Sequence, residues 1–473
     1  MNEAENKLHI SLAKKRIKGS DFCVYCAYIT TIKELRKHSN ADRLQCATVF
    51  GNNVIIDLTY KEGQRVIYFP TDGQLSEEFA NDNNLVRKKD ENGNNVGGYL
   101  NPEKRNITAL KLRGEKSDGL VLPIEVLSKY ADISTLKDGE QITMLNGHEI
   151  CKKYIPRSNH RQRCTGTGNR TRKKKVPVAP LFSEHADTEQ LAYNLGAFLP
   201  NDEIEVTLKM HGTSQRTGYL PVFKGYKRSL LDRILRKEGS PIYDWGYVSG
   251  TRRTVLENFD GGYYGSNEFR EAHSKFFEGK LMKGESVYYE VVGFTHTGTP
   301  IMASCNNKKL NDKEFVKQYG EETVFSYGCK PVVSIDCDDI QSDIYVYRMT
   351  MTNEDGFTVE YPPHFMRYRC EQMGVKTVPV FTSFTLYDYY LEMDTRSPGE
   401  IVKYIAEKYY DGTDPVGKTH IREGVVVRII NRPKFTAYKH KNFNFKVLEG
   451  IIKDTAVAPD MEEAESIVED NAE

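Results

Sequence analysis

No stretch of the sequence is apolar for long enough to cross a membrane as a helix, which needs a run of ~18–20 residues. The N-terminal stretch MNEAENKLHISLAKKRIKGS also lacks the apolar core of a secretory signal. Together these absences predict a cytoplasmic protein with no membrane partner. Neither sign of charge is in surplus: 66 Lys and Arg balance 66 Asp and Glu, so the total gives no argument for a polyanionic ligand. The nine cysteines, scattered from Cys23 to Cys370, have neither the density nor the even number of a disulfide scaffold and read as reduced thiols. Cys23 and Cys26 have the spacing of half a zinc site, but no second half-site follows. They read as small packed side chains. Internal repeats are absent as well.

What is present begins with a length of 473 residues and 39% apolar content, enough for two to four ordinary domains. Charge is segregated along the chain. The stretch RSNHRQRCTGTGNRTRKKK, Arg157 to Lys175, contains no acidic residue, whereas the end of the chain, DMEEAESIVEDNAE, is acidic. A basic, glycine-containing stretch of this kind is either a loop that meets phosphates through counterion release or a merely solvated linker.

From Phe22 to about Met144, CVYCAYITTI, QCATVF, NNVIIDLTY, RVIYFP, ITALKL and GLVLPI read as short strands punctuated by Gly, Asn and Asp. Their spacing suits an OB-like β-barrel, with the polar stretch Ser76 to Tyr99 as an excursion from it. Asp187 to Leu199 gives a short helical pattern, with Asp187 and Thr188 as N-cap candidates. Beyond it, strands EIEVTLKM, SVYYEVVGF, IYVYRMTM and GVVVRII alternate with helical stretches SNEFREAHSKFFEGKL, DKEFVKQYG and SPGEIVKYIAEKYY. These are not regular βαβ units, so the fold class is α+β, with the second domain mixed and largely antiparallel. The expected organisation is an OB-like nucleic-acid-binding domain over 22–150, a basic linker over 151–178, a second domain over 179–452 and an acidic tail over 453–473.

The strand EIEVTLKM runs directly into HGTS, giving Lys209-Met210-His211-Gly212-Thr213-Ser214. A bare K-x-x-G would arise about twice by chance in a chain of this length and composition. The longer string is far rarer, and its chemistry is coherent. A lysine held at a strand end can attack phosphorus, and a glycine lets the backbone approach a nucleotide closely.

This string resembles the first motif of the covalent nucleotidyltransferases, specifically the ATP-dependent nick-sealing RNA ligases with an N-terminal OB domain. Further resemblances follow in the family's order: Ser249-Gly250-Thr251-Arg252-Arg253, VYYEVVGF with Glu290, YVYRM with Tyr347, REGVVVR with Glu423, and Phe445-Lys446-Val447. Upstream, HSNADRL, EGQRVIYFPTDGQLSEE, LKLRGEKSDGLVLPI and FSEHADTEQL resemble the family's N-terminal module and connector. The resemblance covers about Ile29 to Gly450. It implies that Lys209 carries AMP, with ATP and Mg²⁺, or Mn²⁺ in its place, as cofactors. It also implies that His211, Gly212, Arg252, Glu290, Tyr347 and Glu423 bind the nucleotide, that Glu290 and Glu423 hold the metal, and that 179–452 is an adenylyltransferase domain. The fifth motif offers Lys439, Lys441 and Lys446 for the α-phosphate. Lys446, between two apolar residues of an expected strand, is favoured, and Lys441 comes second. Leu208 departs from relatives that carry glutamate before the lysine.

An amine attacks only when deprotonated, and lysine is ordinarily protonated up to pH ~10.4. A metal ion and a second lysine nearby would favour its neutral form. The implied reaction joins RNA 3′-OH and 5′-phosphate ends through lysyl-AMP and an adenylylated 5′ end, carried out by a monomer. His38, Arg43, Lys111 and Arg113 are candidates for holding the nucleic acid on the first domain.

Plain alternatives stand beside these assignments: an exposed strand-end lysine, salt bridges for the two glutamates, a loop arginine, and packing for Tyr347. At the level of function the rivals are a capping guanylyltransferase, a DNA ligase, and a non-enzymatic RNA-binding OB protein on a degenerate scaffold. The first normally places its OB domain after the catalytic core, and the second typically has aspartate where His211 stands. The basic, partly helical region from Leu220 to Tyr247 is expected to be an insertion near the substrate path.

Overall fold

The computed structural model describes residues 10–11, 14–17, 20–23, 25–94, 96–156, 176–228, 239–256, 259, 264, 266–332, 339–390 and 396–454. The basic stretch 157–175 and the tail beyond Asp454 lie outside the described residues. Two compact units divide the chain: Met1–Arg157 with Lys446–Asp454, and Ser158–Phe445 with Thr455–Glu473.

In the first unit the strands pair antiparallel. Leu120–Pro123, Arg65–Phe69, Ala27–Thr31 and Gln141–Ile142 form one sheet in that order, and Glu34–Lys37, Leu44–Val49 and Asn52–Asp57 form a meander. Val66, Ile67, Tyr68 and Phe69 are all fully buried. Their strand is therefore covered on both faces, which is why its sequence is a run of β-branched and aromatic residues rather than an alternation. Among the described residues the strands fall into several small sheets, none of which closes on itself. The stretch from Ser76, expected as an excursion, contributes to the core instead. Ser76 Oγ accepts from Phe79 N–H at 3.1 Å and caps the helix Glu77–Asp82, and Phe79, Leu85 and Val86 pack with Ile29, Ile67 and Leu127. Cys26 is a buried free thiol.

The second unit is mixed α+β and largely antiparallel. One sheet runs Glu189–Gln190, Thr436–Lys441, Gly424–Ile429, Glu203–Lys209, Val380–Thr385. The other runs Val255–Leu256, Ser240–Gly250, Thr213–Lys227, Glu285–Gly293, Ser342–Thr352, Thr358–Glu360, with Lys376–Thr377 added parallel to Ser342–Thr352. The first sheet buries Ile204, Val206, Val425 and Val427 against Ile401, Val402, Ile405 and Ala406 of the helix Pro398–Glu407. That helix begins at a capping box, with Ser397 and Glu400 satisfying each other's backbone amides. In the second sheet Val287, Val291, Ile344 and Val346 pack with Met366, Cys370 and Met373 of the helix Pro363–Met373. Each such side chain, fully buried, contributes about 1.5–3 kcal/mol.

One local expectation is corrected. Asp187 to Leu199 is not one helix. Residues 189–190 pair as a strand, and Leu191–Tyr193 and Leu195–Ala197 are separate 3₁₀ turns. The helical path breaks at Asn194, at φ −125° between the two turns, and again at the extended Phe198. Of 220–247, expected to be partly helical, residues 229–238 lie outside the described residues, and those on either side are strands. Thr213–Lys227 and Ser240–Gly250 form a long antiparallel hairpin in which Tyr219 and Tyr247 stack across strands at 4.6 Å. Cross-strand aromatic pairs of this kind stabilise sheets.

Candidate active site

The two large sheets of the second unit are joined by Met210, His211 and Gly212, because Lys209 ends a strand of one and Thr213 begins a strand of the other. Pairing places Lys209 opposite Gly424 and Gly424 opposite Lys441, so three adjacent strands bring Lys209, Glu423 and Lys441 to one sheet end. On the other sheet Ser214 pairs with Glu290. Gly212 is required by this junction. A Cβ there would lie 2.4 Å from the Val291 carbonyl oxygen and 2.8 Å from Glu290 Cγ, so no larger residue lets the strands approach.

Glu423 is 2% exposed and sits among cations. Lys209 Nζ is 2.8 Å and Lys441 Nζ 3.2 Å from its Oε1, and His211 Nδ1 is 3.6 Å from its Oε2. Burial alone would push the carboxyl up. The charges of Lys209 and Lys441, together with His211, overcome that and hold it well below the usual carboxylate range. Oε2 accepts no hydrogen bond, so a buried anionic oxygen retains acceptor capacity. The oxygen suits a hard cation. Among the described residues no three His, Cys, Asp or Glu side chains form a cage. A divalent cation would therefore be held by one or two carboxylates together with ligand phosphates, the usual mode for Mg²⁺.

Glu290 is half-buried and accepts from Ser214 Oγ at 3.2 Å. Tyr347 is the extra residue of a bulge, since Tyr288 pairs with Arg348 and Tyr289 with Val346. Burial, with the Glu290 charge, pushes the Tyr347 hydroxyl far up, so it stays protonated. Arg252 Nη2 and Arg253 Nη2 grip the two oxygens of Asp187 at 2.5 and 2.6 Å. The ring of His211 is met edge-on by Phe325 at 4.6 Å and Phe445 at 4.8 Å.

Lys446 is not on the expected strand. It lies on the helix Phe443–Asp454, not on a strand, and falls in the first compact unit, where its ammonium is 2.6 Å from Asp118 Oδ2. Three residues, Phe-Lys-Val, alternate in the same way at the start of a helix as in a strand, and Asn442 caps this one, its Oδ1 accepting from Phe445 N–H at 3.2 Å. In the first unit His38 is also displaced from its expected place. It is 1% exposed, with Nε2 3.2 Å from the Leu112 carbonyl and Nδ1 accepting from Asn40 N–H. Arg43 and Arg113 are exposed and Lys111 half-buried.

Sequence reading did not single out His185, which stood in a stretch read as a connector, and took Asp187 as a helix N-cap candidate rather than a partner of Arg252 and Arg253. The His185 ring meets Tyr347 edge-on at 5.2 Å, and its Nδ1 is buried without a hydrogen bond. Burial, then the charges of Arg252, Arg348, Arg216 and Lys209, hold that imidazole well below its ordinary pKa and therefore neutral. The signal was a histidine and an aspartate in a polar segment that stays ordered.

No family model and no curated protein matches this sequence. Solved structures do match in fold. A lysine-to-alanine mutant of the Naegleria gruberi RNA ligase with ATP and Mn superposes with a TM-score of 0.52 at 16% identity, over 89% of this chain and 97% of that chain. A second such mutant, also with ATP and Mn, gives 0.51 at 16% over 89% and 98%. The same ligase with pyrophosphate gives 0.51 at 16% over 89% and 97%. Over that span this chain has the fold of an RNA ligase.

Proposed function

We propose that the chain is an ATP-dependent RNA ligase that forms a covalent lysyl-AMP on Lys209. The observation that carries this reading is the buried Glu423 carboxylate with Lys209 at 2.8 Å and Lys441 at 3.2 Å. It puts a candidate nucleophile, a second cation and an acceptor oxygen within one side chain's reach. The matched fold of a ligase solved with ATP, AMP or pyrophosphate supports it.

In the first step Lys209 Nζ, its proton lost to solvent, forms a bond to the α-phosphorus of ATP while the bond to pyrophosphate breaks. Lys441 offsets charge on the transferring group, the role first given to Lys446. Mg²⁺ or Mn²⁺ held by Glu423 and Glu290 would supply further positive charge against the phosphates. Gly212 lets the two sheets close up at the nucleotide site, Tyr347 and the neutral His185 offer ring faces and edges to the base, and Arg252, paired with Asp187, binds the nucleotide. In the second step an oxygen of an RNA 5′-phosphate takes the AMP and frees the lysine. In the third a 3′-hydroxyl attacks that 5′-phosphorus and expels AMP. The first unit acts as the OB-like module that holds the nucleic acid, with Arg43, Lys111 and Arg113 on its surface, and the region from Leu220 to Tyr247 is an insertion near the path of the RNA.

The test is to incubate the protein with Mg²⁺ and ATP or GTP labelled at the α-phosphorus and to follow label on a denaturing gel, beside Lys209→Ala. Label from ATP that disappears in the variant is expected. Label from GTP alone would move the reading to cap formation. No label from either, with the protein folded and free of preloaded AMP, would leave a non-enzymatic RNA-binding protein as the better account.

A further inference from the structure

The segment Val324 to Cys329 carries a residue that local preference disfavours. The Cys329 N–H donates to the Ser326 carbonyl, closing a tight turn whose central residues are Tyr327, at φ 50°, and Gly328, at φ 85°. Turns with two positive φ values favour Asn-Gly, and a bulky aromatic at the first position is sterically disfavoured. A residue that breaks a local rule and persists is held by contacts made elsewhere.

Those contacts lead to the candidate nucleophile. The Tyr327 side chain is 4% exposed, and its hydroxyl oxygen accepts from the His211 backbone N–H at 2.7 Å. His211 is two residues past Lys209, in the junction between the sheets. Two positions before Tyr327, Phe325 meets the ring of the same histidine edge-on at 4.6 Å. One short segment thus grips His211 twice, by ring and by backbone. Behind it the Tyr327 ring stands edge-on to His420 at 4.7 Å. Gly417 closes the packing, since a Cβ there would lie 3.0 Å from Tyr327 Cα and 3.3 Å from His420 Nε2. Burial, with the charge of Asp414, pushes the hydroxyl well above its ordinary pKa, so the acceptor is a neutral phenol.

We infer that Tyr327 is a positioning residue for lysyl-AMP formation: its hydroxyl fixes the His211 amide and so sets the direction from which Lys209 reaches the α-phosphorus. This rests on the ligase reading above. Tyr327 touches neither nucleotide nor reacting atoms in this role. It acts by fixing the Met210–Gly212 link, whose displacement would swing the Lys209 side chain. Tyr327→Phe removes only the hydroxyl and keeps the ring against His420.

The experiment is single-turnover adduct formation with α-labelled ATP and Mg²⁺ on full-length wild type and Tyr327→Phe, with melting curves for both. The expected result is a rate constant lowered roughly tenfold to a hundredfold, the cost of a small misplacement of a reacting group, with unchanged final amplitude and an ATP KM within about twofold. A purely structural role would instead lower the amplitude, the folded fraction, and leave the rate constant of the remaining molecules alone. That result, or a rate constant within about twofold of wild type, overturns the inference. Wild type that forms no adduct overturns the ligase reading and the inference with it.

Discussion

Two buried glutamates in the second unit stand in opposite conditions. Glu285 is fully buried, and both of its oxygens are engaged. Arg369 grips them at 2.8 Å each, Tyr361 O–H donates to Oε1 at 3.0 Å and Met282 N–H to Oε2 at 2.8 Å. Glu423 is 2% exposed, with two lysines on one oxygen and no hydrogen bond on the other. Burial is the same, and saturation differs. A carboxylate whose acceptors are all filled can only hold the fold together, whereas one with an oxygen that accepts no hydrogen bond, His211 Nδ1 standing 3.6 Å from it, can exchange its partners for a ligand.

The largest effect that would sharpen this contrast is on chemistry. Glu423→Gln should lower the rate of adduct formation by roughly a hundredfold to a thousandfold in a single-turnover assay. Its stability cost should be the smaller of the two glutamate sites, because Lys209 and Lys441 are 22% and 12% exposed and can turn toward water. Arg369→Ala should behave the other way. Leaving Glu285 buried and unpaired should cost about 3–5 kcal/mol in urea unfolding while adduct formation per folded molecule stays at wild type. If the two variants gave the same ratio of lost rate to lost stability, the distinction would collapse.

A third buried group, His273, sets the scale for burial with a single partner, Ser342 Oγ at 2.9 Å. Burial, and then the Arg270 charge, lower its pKa from 6.5 to about 4 against the opposing pull of Asp343. The folded state therefore keeps it neutral while the unfolded chain takes up a proton, so its contribution is fully present above pH 6.5 and lost as pH falls to about 4. The loss should amount to about 3 kcal/mol and should be missing from the pH dependence of urea unfolding in His273→Gln. The smallest effect separates two lysines of one segment. Lys441→Ala should slow adduct formation about tenfold or more, and Lys446→Ala should leave it within about threefold, its ion pair with Asp118 being part of the first unit. The reverse order would return the role to Lys446.

The sequence made the second unit's core legible because its signals are local. Glu203–Lys209 and Gly424–Ile429 are apolar strands of ordinary length, and Ser397-Pro398-Gly399-Glu400 announces a helix start. Lys209, Glu423 and Glu290 were named from motifs that lie on or beside such strands. What escaped depends on partners far along the chain. His38 is buried by a carbonyl 74 residues away, and Tyr327 matters through an amide 116 residues away, which no window of sequence contains. Lys446 was misplaced for a nearer reason. The cap at Asn442 was overlooked, and three alternating residues cannot distinguish a strand from the first turn of a helix.

The membership of Lys446–Asp454 in the first unit bears on the order in which the molecule is made. Lys446 pairs with Asp118 and Lys453 with Asp72, yet the ribosome must synthesise Ser158–Phe445, most of the second unit, between those partners. At about 5–20 residues per second the delay is on the order of tens of seconds. The first unit emerges early and is finished late, and the two ion pairs that complete it are among the last contacts a nascent chain can close.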